Sequence, residues 1–86
     1  MRAAPDRHEI LCRLRTVVPE KVGIDPMLLQ PEAVLAEIGI DSFSLIELVF
    51  LAEEEFKVTI PFDGLAVKTV SDVLDVIEWK IGAESA

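Results

Sequence analysis

The sequence predicts an all-α protein, a small four-helix bundle with three longer helices and a short third helix. Apolar residues recur every three or four positions in three separate stretches, the spacing that is typical of amphipathic helices. Residues that favour the first turn of a helix precede each of those stretches. The chain has 86 residues, which is enough for one hydrophobic core but not for two. We therefore expect a single domain over residues 1–86, with a long loop between the first two helices.

The first helix is predicted over about residues 5–18. Pro5 and Asp6 suit the start of a helix, because proline presets the backbone angle there and an aspartate complements the helix dipole. Five apolar residues then fall on one face and form a core stripe: Ile10, Leu11, Leu14, Val17 and Val18. Pro19 has no amide hydrogen and its ring collides with the preceding turn, so we expect it to end or kink this helix.

A long connecting loop is predicted over residues 22–38. It contains Gly23, Pro26 and Pro31, and its apolar residues follow no helical or strand period. One short helical turn is expected near residues 32–36. Loops of this length are unusual in a small domain and are often functional.

The second helix is predicted over about residues 42–56, and its start is the most distinctive part of the sequence. Gly39 can adopt the positive φ angle that a sharp turn needs, and Asp41 can cap the helix by accepting hydrogen bonds from its first amides. Ser42 then falls in the first turn, where its hydroxyl would lie on the surface beside the positive end of the helix dipole. A phosphate ester is favoured at such a place, although an Asp-Ser pair before a helix is more often only a cap.

The second helix has more apolar residues than one core face needs. Its core stripe has five members: Leu45, Leu48, Val49, Ala52 and Phe56. A second stripe combines aromatic and acidic residues: Phe43, Glu47, Phe50 and Glu54. One interpretation is that the two phenylalanines are buried under the long loop. The other is an interaction surface, on which apolar contacts supply affinity and the glutamates attract the arginine or lysine side chains of a partner.

Two further helices are predicted in the last third of the chain. The short third helix is expected over about residues 62–67, and the fourth helix over about residues 70–81. Thr69 and Asp72 resemble a capping box at the start of the fourth helix, with aspartate in place of the usual glutamate. The core stripe of that helix again has five members: Val70, Val73, Leu74, Ile77 and Ile81. Gly82 is expected to end it.

The composition narrows the classes of partner and compartment. The formal net charge is −8, from 16 acidic and 8 basic residues, and such a surface repels nucleic acid and favours partners with basic patches. The longest apolar run is far too short to span a bilayer, and the first residues lack the apolar segment of a signal peptide. Cys12 has no second cysteine with which to form a disulfide, so we expect a reducing, cytoplasmic setting.

No set of residues in the sequence assembles a catalytic or metal site. His8 and Cys12 are four positions apart on the first helix and could share a metal ion, but no third or fourth ligand stands at a suitable spacing. Ser42 has no histidine nearby in sequence, as a serine hydrolase would require. Glycine-rich phosphate loops, zinc motifs and dinucleotide motifs are absent from the sequence. We therefore expect no enzyme activity and no metal.

The motif around the second helix resembles the acyl carrier protein family. The family pattern is Gly-x-Asp-Ser-Leu, then Glu-Leu, an acidic run that ends in Phe, and Ile-Pro. The matching positions are Gly39, Asp41, Ser42, Glu47, Leu48, Glu53, Glu54, Glu55, Phe56, Ile60 and Pro61. The resemblance extends more loosely over nearly the whole chain, and it implies an acyl-carrier-like fold. It also implies a 4′-phosphopantetheine arm, derived from coenzyme A and attached covalently to Ser42, whose thiol carries acyl groups as thioesters.

The resemblance implies partners as well as a prosthetic group. These are a phosphopantetheinyl transferase and the acyl-loading, elongating or transferring enzymes that present basic docking patches to a monomeric carrier. The residues implied in docking are Asp41, Phe43, Glu47, Phe50 and Glu54. Fatty-acid, polyketide or other specialised metabolism is the expected setting. A peptidyl or aminoacyl carrier and an unmodified helical adaptor remain as alternatives.

Two departures from the family pattern favour a specialised carrier with its own partners. Phe43 replaces the leucine that usually follows the serine. Phe62 and Leu65 stand where carriers of primary metabolism tend to be acidic.

Overall fold

The computed structural model describes residues 6–61 and 66–85 of the chain. This part contains three α-helices and two short 3-10 helices, and it contains no β-strand. The α-helices are α1 (Arg7–Val22), α2 (Ser42–Phe56) and α3 (Val70–Ser85), and the 3-10 helices are Pro26–Leu28 and Leu35–Ile38. The all-α class is therefore confirmed. The described residues include the first, second and last helices of the predicted bundle.

Helix α1 extends beyond the predicted end at about residue 18. It begins after Asp6, whose carboxylate accepts a hydrogen bond from the Glu9 amide at 2.9 Å. It continues through Pro19 and ends at Gly23, which has a φ of 82° and donates its amide hydrogen to the Pro19 carbonyl. A proline in the last turn removes only one helical hydrogen bond. Val22 packs against the core beyond it, which explains why the helix does not end at Pro19.

The loop between α1 and α2 is a packed part of the core. Leu29, Leu35 and Ile40 are all buried, and the Arg15 side chain donates a hydrogen bond to the Leu29 carbonyl at 3.0 Å. The helical turn expected near residues 32–36 is found slightly later, as the 3-10 helix Leu35–Ile38.

Helix α2 has the bounds that the sequence predicts. Leu48, Val49 and Ala52 are buried on its core face. Lys57 ends the helix in the left-handed conformation, with a φ of 58°, and donates its amide hydrogen to the Glu53 carbonyl.

The predicted short third helix lies mostly outside the described residues. Residues 62–65 are not described, and residues 66–68 have no helical structure. Helix α3 therefore corresponds to the predicted fourth helix, and its whole predicted core stripe is buried. It continues through Gly82 to Ser85. A glycine inside a helix costs only about 1 kcal/mol relative to alanine, and the buried Ile81 holds the turn before it.

The three α-helices enclose an entirely apolar interior. Among the described residues, no polar or charged side chain is buried. A small apolar void of about 10 Å³ remains between α2 and α3, and Leu48, Ala52, Val73 and Ile77 contribute to its wall. No helix in the described ranges is long and apolar enough to cross a bilayer.

Candidate functional site

The turn before α2 fixes the position at which the helix begins. Gly39 has a φ of 92° and donates its amide hydrogen to the Leu35 carbonyl. A side chain at Gly39 would meet no other atom, so the glycine is required by this backbone angle and not by lack of space. The next residue, Ile40, is buried and also bonds the Leu35 carbonyl, at 2.9 Å. The chain therefore reaches α2 from a fixed point in the core.

Asp41 caps α2, as the sequence predicts. Its backbone is extended, and its Oδ1 accepts a hydrogen bond from the Ser44 amide at 2.9 Å. This bond holds the pKa of the Asp41 carboxyl below its ordinary value. The carboxylate is thus ionised at neutral pH and is engaged with the helix backbone.

Ser42 is the first residue of α2 and its side chain is exposed. No hydrogen bond within the described part of the chain ties down its hydroxyl. The hydroxyl lies at the helix N-terminus, where the unpaired amides carry partial positive charge. This arrangement presents a free hydroxyl in a place that favours an attached anion.

A groove of about 480 Å³ opens beside Ser42. It is lined by two segments that are hydrogen-bonded to each other, residues 34–36 and 67–68, and by residues at the start of α2. The sequence alone does not predict this groove, because it is lined by segments that lie far apart in the chain.

The second stripe of α2 faces solvent. Phe43 is 69% exposed and Phe50 is 61% exposed, which excludes the interpretation that the loop covers them. Glu47 is half-buried and Glu54 is exposed. The predicted stripe is therefore an aromatic and acidic surface that continues from the Ser42 end along the helix.

In the acidic run at the end of α2, two glutamates contact other parts of the fold and one is exposed to solvent. Glu53 accepts a hydrogen bond from the Ile60 amide at 2.7 Å, and Glu55 forms an ion pair with Arg13 at 3.5 Å. Glu54 remains exposed between them. Of the three glutamates, only Glu54 is thus exposed to solvent.

Lys21 was missed by the sequence analysis. It lines a second groove, of about 260 Å³, together with Glu47, Phe50, Leu51 and Glu54. The helix was expected to end before this residue, so the pattern gave no reason to place Lys21 beside α2.

The first helix also brings its histidine and cysteine together. The Cys12 Sγ lies 3.7 Å from His8 Nε2, and both side chains are exposed. Within the described residues, no cluster of three or more metal-ligating side chains accompanies them. The contact between His8 and Cys12 is therefore the one expected of two residues four positions apart on a helix, and the described residues around it do not form a metal site.

Comparison with known proteins identifies the family. A family model described as a phosphopantetheine attachment site matches residues 12–77. An acyl carrier protein of Thermosynechococcus vestitus is 40% identical over 80 residues, which are 91% of this chain and 99% of that relative. The chain belongs to the acyl carrier protein family. The resemblance seen in the sequence is thereby confirmed.

Other relatives show the breadth of the family. An acyl carrier protein of Thermotoga maritima is 36% identical over 78 residues, 88% of this chain and 96% of that relative. The non-reducing polyketide synthase pkdA of Emericella nidulans is 40% identical over 58 residues, 67% of this chain but only 2% of the synthase. The similarity thus reaches both free carriers and a short part of a large synthase.

Membership in the family gives the general function and the prosthetic group. The chain is a carrier of acyl groups that works with covalently bound 4′-phosphopantetheine, and its family interacts with a phosphopantetheinyl transferase and with acyl-handling enzymes. The residues at the start of α2 fit such a group. Ser42 offers an exposed hydroxyl, the helix end offers amides that favour an anion, and the groove offers space beside both.

Proposed function

We propose that the Ser42 hydroxyl is the attachment point of 4′-phosphopantetheine, and that the chain presents acyl groups to enzymes without catalysing a reaction itself. The observation that supports this most directly is the placement of Ser42. It is the exposed first residue of a capped helix, and it lies within the residues that match the attachment-site model.

The residues around Ser42 suit this role. In loading, the Ser42 oxygen bonds to the pantetheine-bearing phosphorus of coenzyme A, the pyrophosphate bond breaks, and adenosine 3′,5′-bisphosphate and the hydroxyl proton leave. The hydroxyl must therefore be accessible and the helix start must be ordered. Asp41 orders it through the bond to the Ser44 amide. The positive end of the α2 dipole offsets the charge of the phosphodiester. When bound, the arm supplies a terminal thiol that holds the acyl group as a thioester.

We further propose a docking face for partner enzymes on α2, which consists of Asp41, Phe43, Glu47, Phe50 and Glu54. Its two phenylalanines are exposed and can fill apolar pockets, where aromatic anchors supply most of the binding energy. Its carboxylates complement basic patches and speed the encounter electrostatically. The net charge of −8 acts in the same direction.

The exposed phenylalanines favour specialised metabolism over a housekeeping role. Apolar anchors at Phe43 and Phe50 select partners that have matching pockets, and they disfavour partners that recognise a carrier by its charge alone. The match to part of a polyketide synthase is consistent with such a setting. We expect a monomer that meets these partners in the cytoplasm.

An intact-mass measurement tests the attachment point. The protein is incubated with coenzyme A and a broad-specificity phosphopantetheinyl transferase, in parallel with Ser42→Ala and Ser44→Ala. We expect wild type and Ser44→Ala to gain one phosphopantetheine unit and Ser42→Ala to gain none. Ser44 is a matched control, because it lies two residues further along the same helix.

Circular dichroism of the three proteins checks that each is folded. A gain in Ser42→Ala would show that another residue is loaded and that the proposal is wrong. A folded wild type that gains no mass would favour the unmodified adaptor, with the docking face as its functional surface.

A further inference from the structure

Lys68 lies on the wall of the groove that opens at Ser42. Within the described residues, it is the one basic side chain that lines this groove. Its side chain is exposed. A cation in this position is notable in a chain whose net charge is −8.

The position of Lys68 is fixed by backbone hydrogen bonds to the segment that precedes α2. Its carbonyl accepts from the Leu35 amide at 2.8 Å, and the Val70 amide donates to the Ala33 carbonyl at 3.0 Å. Its own amide donates to the Asp72 carboxylate at 2.9 Å. The two segments are thus held together on one side of the groove, and the flexible part of Lys68 is only its side chain.

The groove has the size and the chemistry to hold a tethered arm. Its volume lies within the range of small-molecule sites, roughly 300–1,000 Å³. Six of its lining residues are apolar: Val34, Leu35, Ala36, Ile40, Leu45 and Val67. The polar residues are Asp41, Ser42 and Lys68. An arm of methylene and amide groups that begins with a phosphodiester matches this apolar lining and the charge on Lys68.

A phosphodiester on Ser42 would need a positive partner. It would place a negative charge next to the Asp41 carboxylate, which is itself ionised at neutral pH. The amide of Ser44 is already engaged by Asp41, so the helix end alone offers fewer donors. The ammonium of Lys68 carries a full charge on a flexible stem and can reach an anion at several positions.

We propose that Lys68 binds the phosphodiester on Ser42 and thereby lays the arm along the groove, against the paired segments at residues 34–36 and 67–68. This inference rests on the attachment point proposed above. The competing role for Lys68 is a charge interaction with Asp72, whose carboxylate is nearby. In that case the lysine would have no effect on the arm.

The test compares apo and holo forms of three ¹⁵N-labelled proteins by NMR: wild type, Lys68→Gln and Lys21→Gln. Lys21→Gln is the matched control, since it removes the same charge from a different groove. Intact mass is measured first, so a failure to load Ser42 counts against the proposed function and is separated from the role of Lys68. The readout is the change in the amide chemical shifts of Ala36 and Val67 on loading.

We expect wild type and Lys21→Gln to show the same changes at Ala36 and Val67. In Lys68→Gln these changes should fall by about half or more. They should not vanish, because an exposed ammonium supplies only part of the non-covalent binding that holds the arm in the groove. Lys68→Arg should restore them, since a guanidinium also binds phosphate. Equal changes in wild type and Lys68→Gln would overturn the proposal, as would an absence of changes in wild type.

A salt titration of wild-type holo protein gives a second test that needs no variant. The Debye length falls from about 10 Å at 0.1 M to about 3 Å at 1 M ionic strength. The shift changes at Ala36 and Val67 should therefore decrease toward the apo values as salt is added. Changes that are insensitive to salt would contradict an ionic contact with Lys68, even if Lys68→Gln proved impossible to load.

Discussion

Helices α2 and α3 both begin with polar residues of the kinds that cap helices, but the hydrogen bonds of these residues differ. At the start of α3, Thr69 Oγ1 accepts from the Asp72 amide, and the Asp72 carboxylate accepts from the amides of Lys68 and Thr69. The Ser71 hydroxyl accepts a hydrogen bond from Arg7 at 3.0 Å. At the start of α2, Asp41 bonds the Ser44 amide and the Ser42 hydroxyl is left without a partner in the described part of the chain.

The difference separates a helix start whose polar groups are hydrogen-bonded to one another from one that leaves a hydroxyl exposed. The polar groups of α3 satisfy one another and are tied to α1 through Arg7, which also pairs with Asp75 and Glu78. Those of α2 stabilise the helix through one residue and leave its neighbour exposed. Residue types that suit a helix cap thus occur in two arrangements in one small domain, and the pattern of hydrogen bonds distinguishes them.

The largest effect that we expect in this comparison is on partner binding. Phe50→Ala should raise the KM for the phosphopantetheinyl transferase by about tenfold, the effect of losing roughly 1.4 kcal/mol of binding energy at an aromatic anchor. Trp79→Ala is the control, because Trp79 is equally exposed, at 67%, but lies on α3. It should change the KM less than twofold (about the limit of a neutral surface change). Equal effects of both variants would contradict a docking face on α2.

A smaller effect is expected on thermal stability. Asp72→Ala should lower the Tm more than Asp41→Ala does, because Asp72 accepts two backbone hydrogen bonds and Asp41 accepts one at comparable distance. Thermal unfolding followed by circular dichroism measures both. If Asp41→Ala proved the more damaging variant, the start of α2 would have the greater structural role and the contrast would be reversed.

The smallest effect that we expect is on the stability of the protein at acidic pH. Backbone hydrogen bonds from Ser44, for Asp41, and from Lys68 and Thr69, for Asp72, hold the pKa of each carboxyl below its ordinary value. A group with a lowered folded pKa contributes stability that is fully present above the ordinary aspartate pKa of about 3.9 and is lost as the pH falls through the lowered value.

We therefore expect the urea midpoint to fall as the pH is lowered below about 4, and to fall less steeply in the double variant Asp41→Asn/Asp72→Asn. Asparagine also caps helices well, so the variant should remain folded. Urea titrations at several pH values provide the measurement. An identical slope in both proteins would mean that other carboxylates control the acid transition.

The local parts of this structure could be predicted from sequence. The start of α2 follows from the Asp41 cap and the glycine turn before it, and the core stripe of α3 follows from its period, because both signals lie within a few residues. The position of Ser42 at the helix start is local in the same sense. The exposure of Phe43 and Phe50 was left open, since it depends on the path of a distant loop.

The non-local parts could not be predicted. Leu29, Leu35 and Ile40 are buried, but they follow no period, so the loop was expected only as a connection. Lys21 and Lys68 reach their grooves through contacts between segments far apart in the chain. Pattern analysis gives the faces of single helices and does not give the pairing of irregular segments.

The antiparallel bridge between Val34 and Thr69 has a consequence for folding. These residues lie before and after α2, so the bridge closes the whole of that helix into a ring. Loop-closure entropy rises only with the logarithm of loop length, so this pairing costs little more than closing a shorter loop, and it links the opening of α2 to that of the start of α3. Hydrogen exchange in α2 should thus occur as one cooperative opening with both flanking segments.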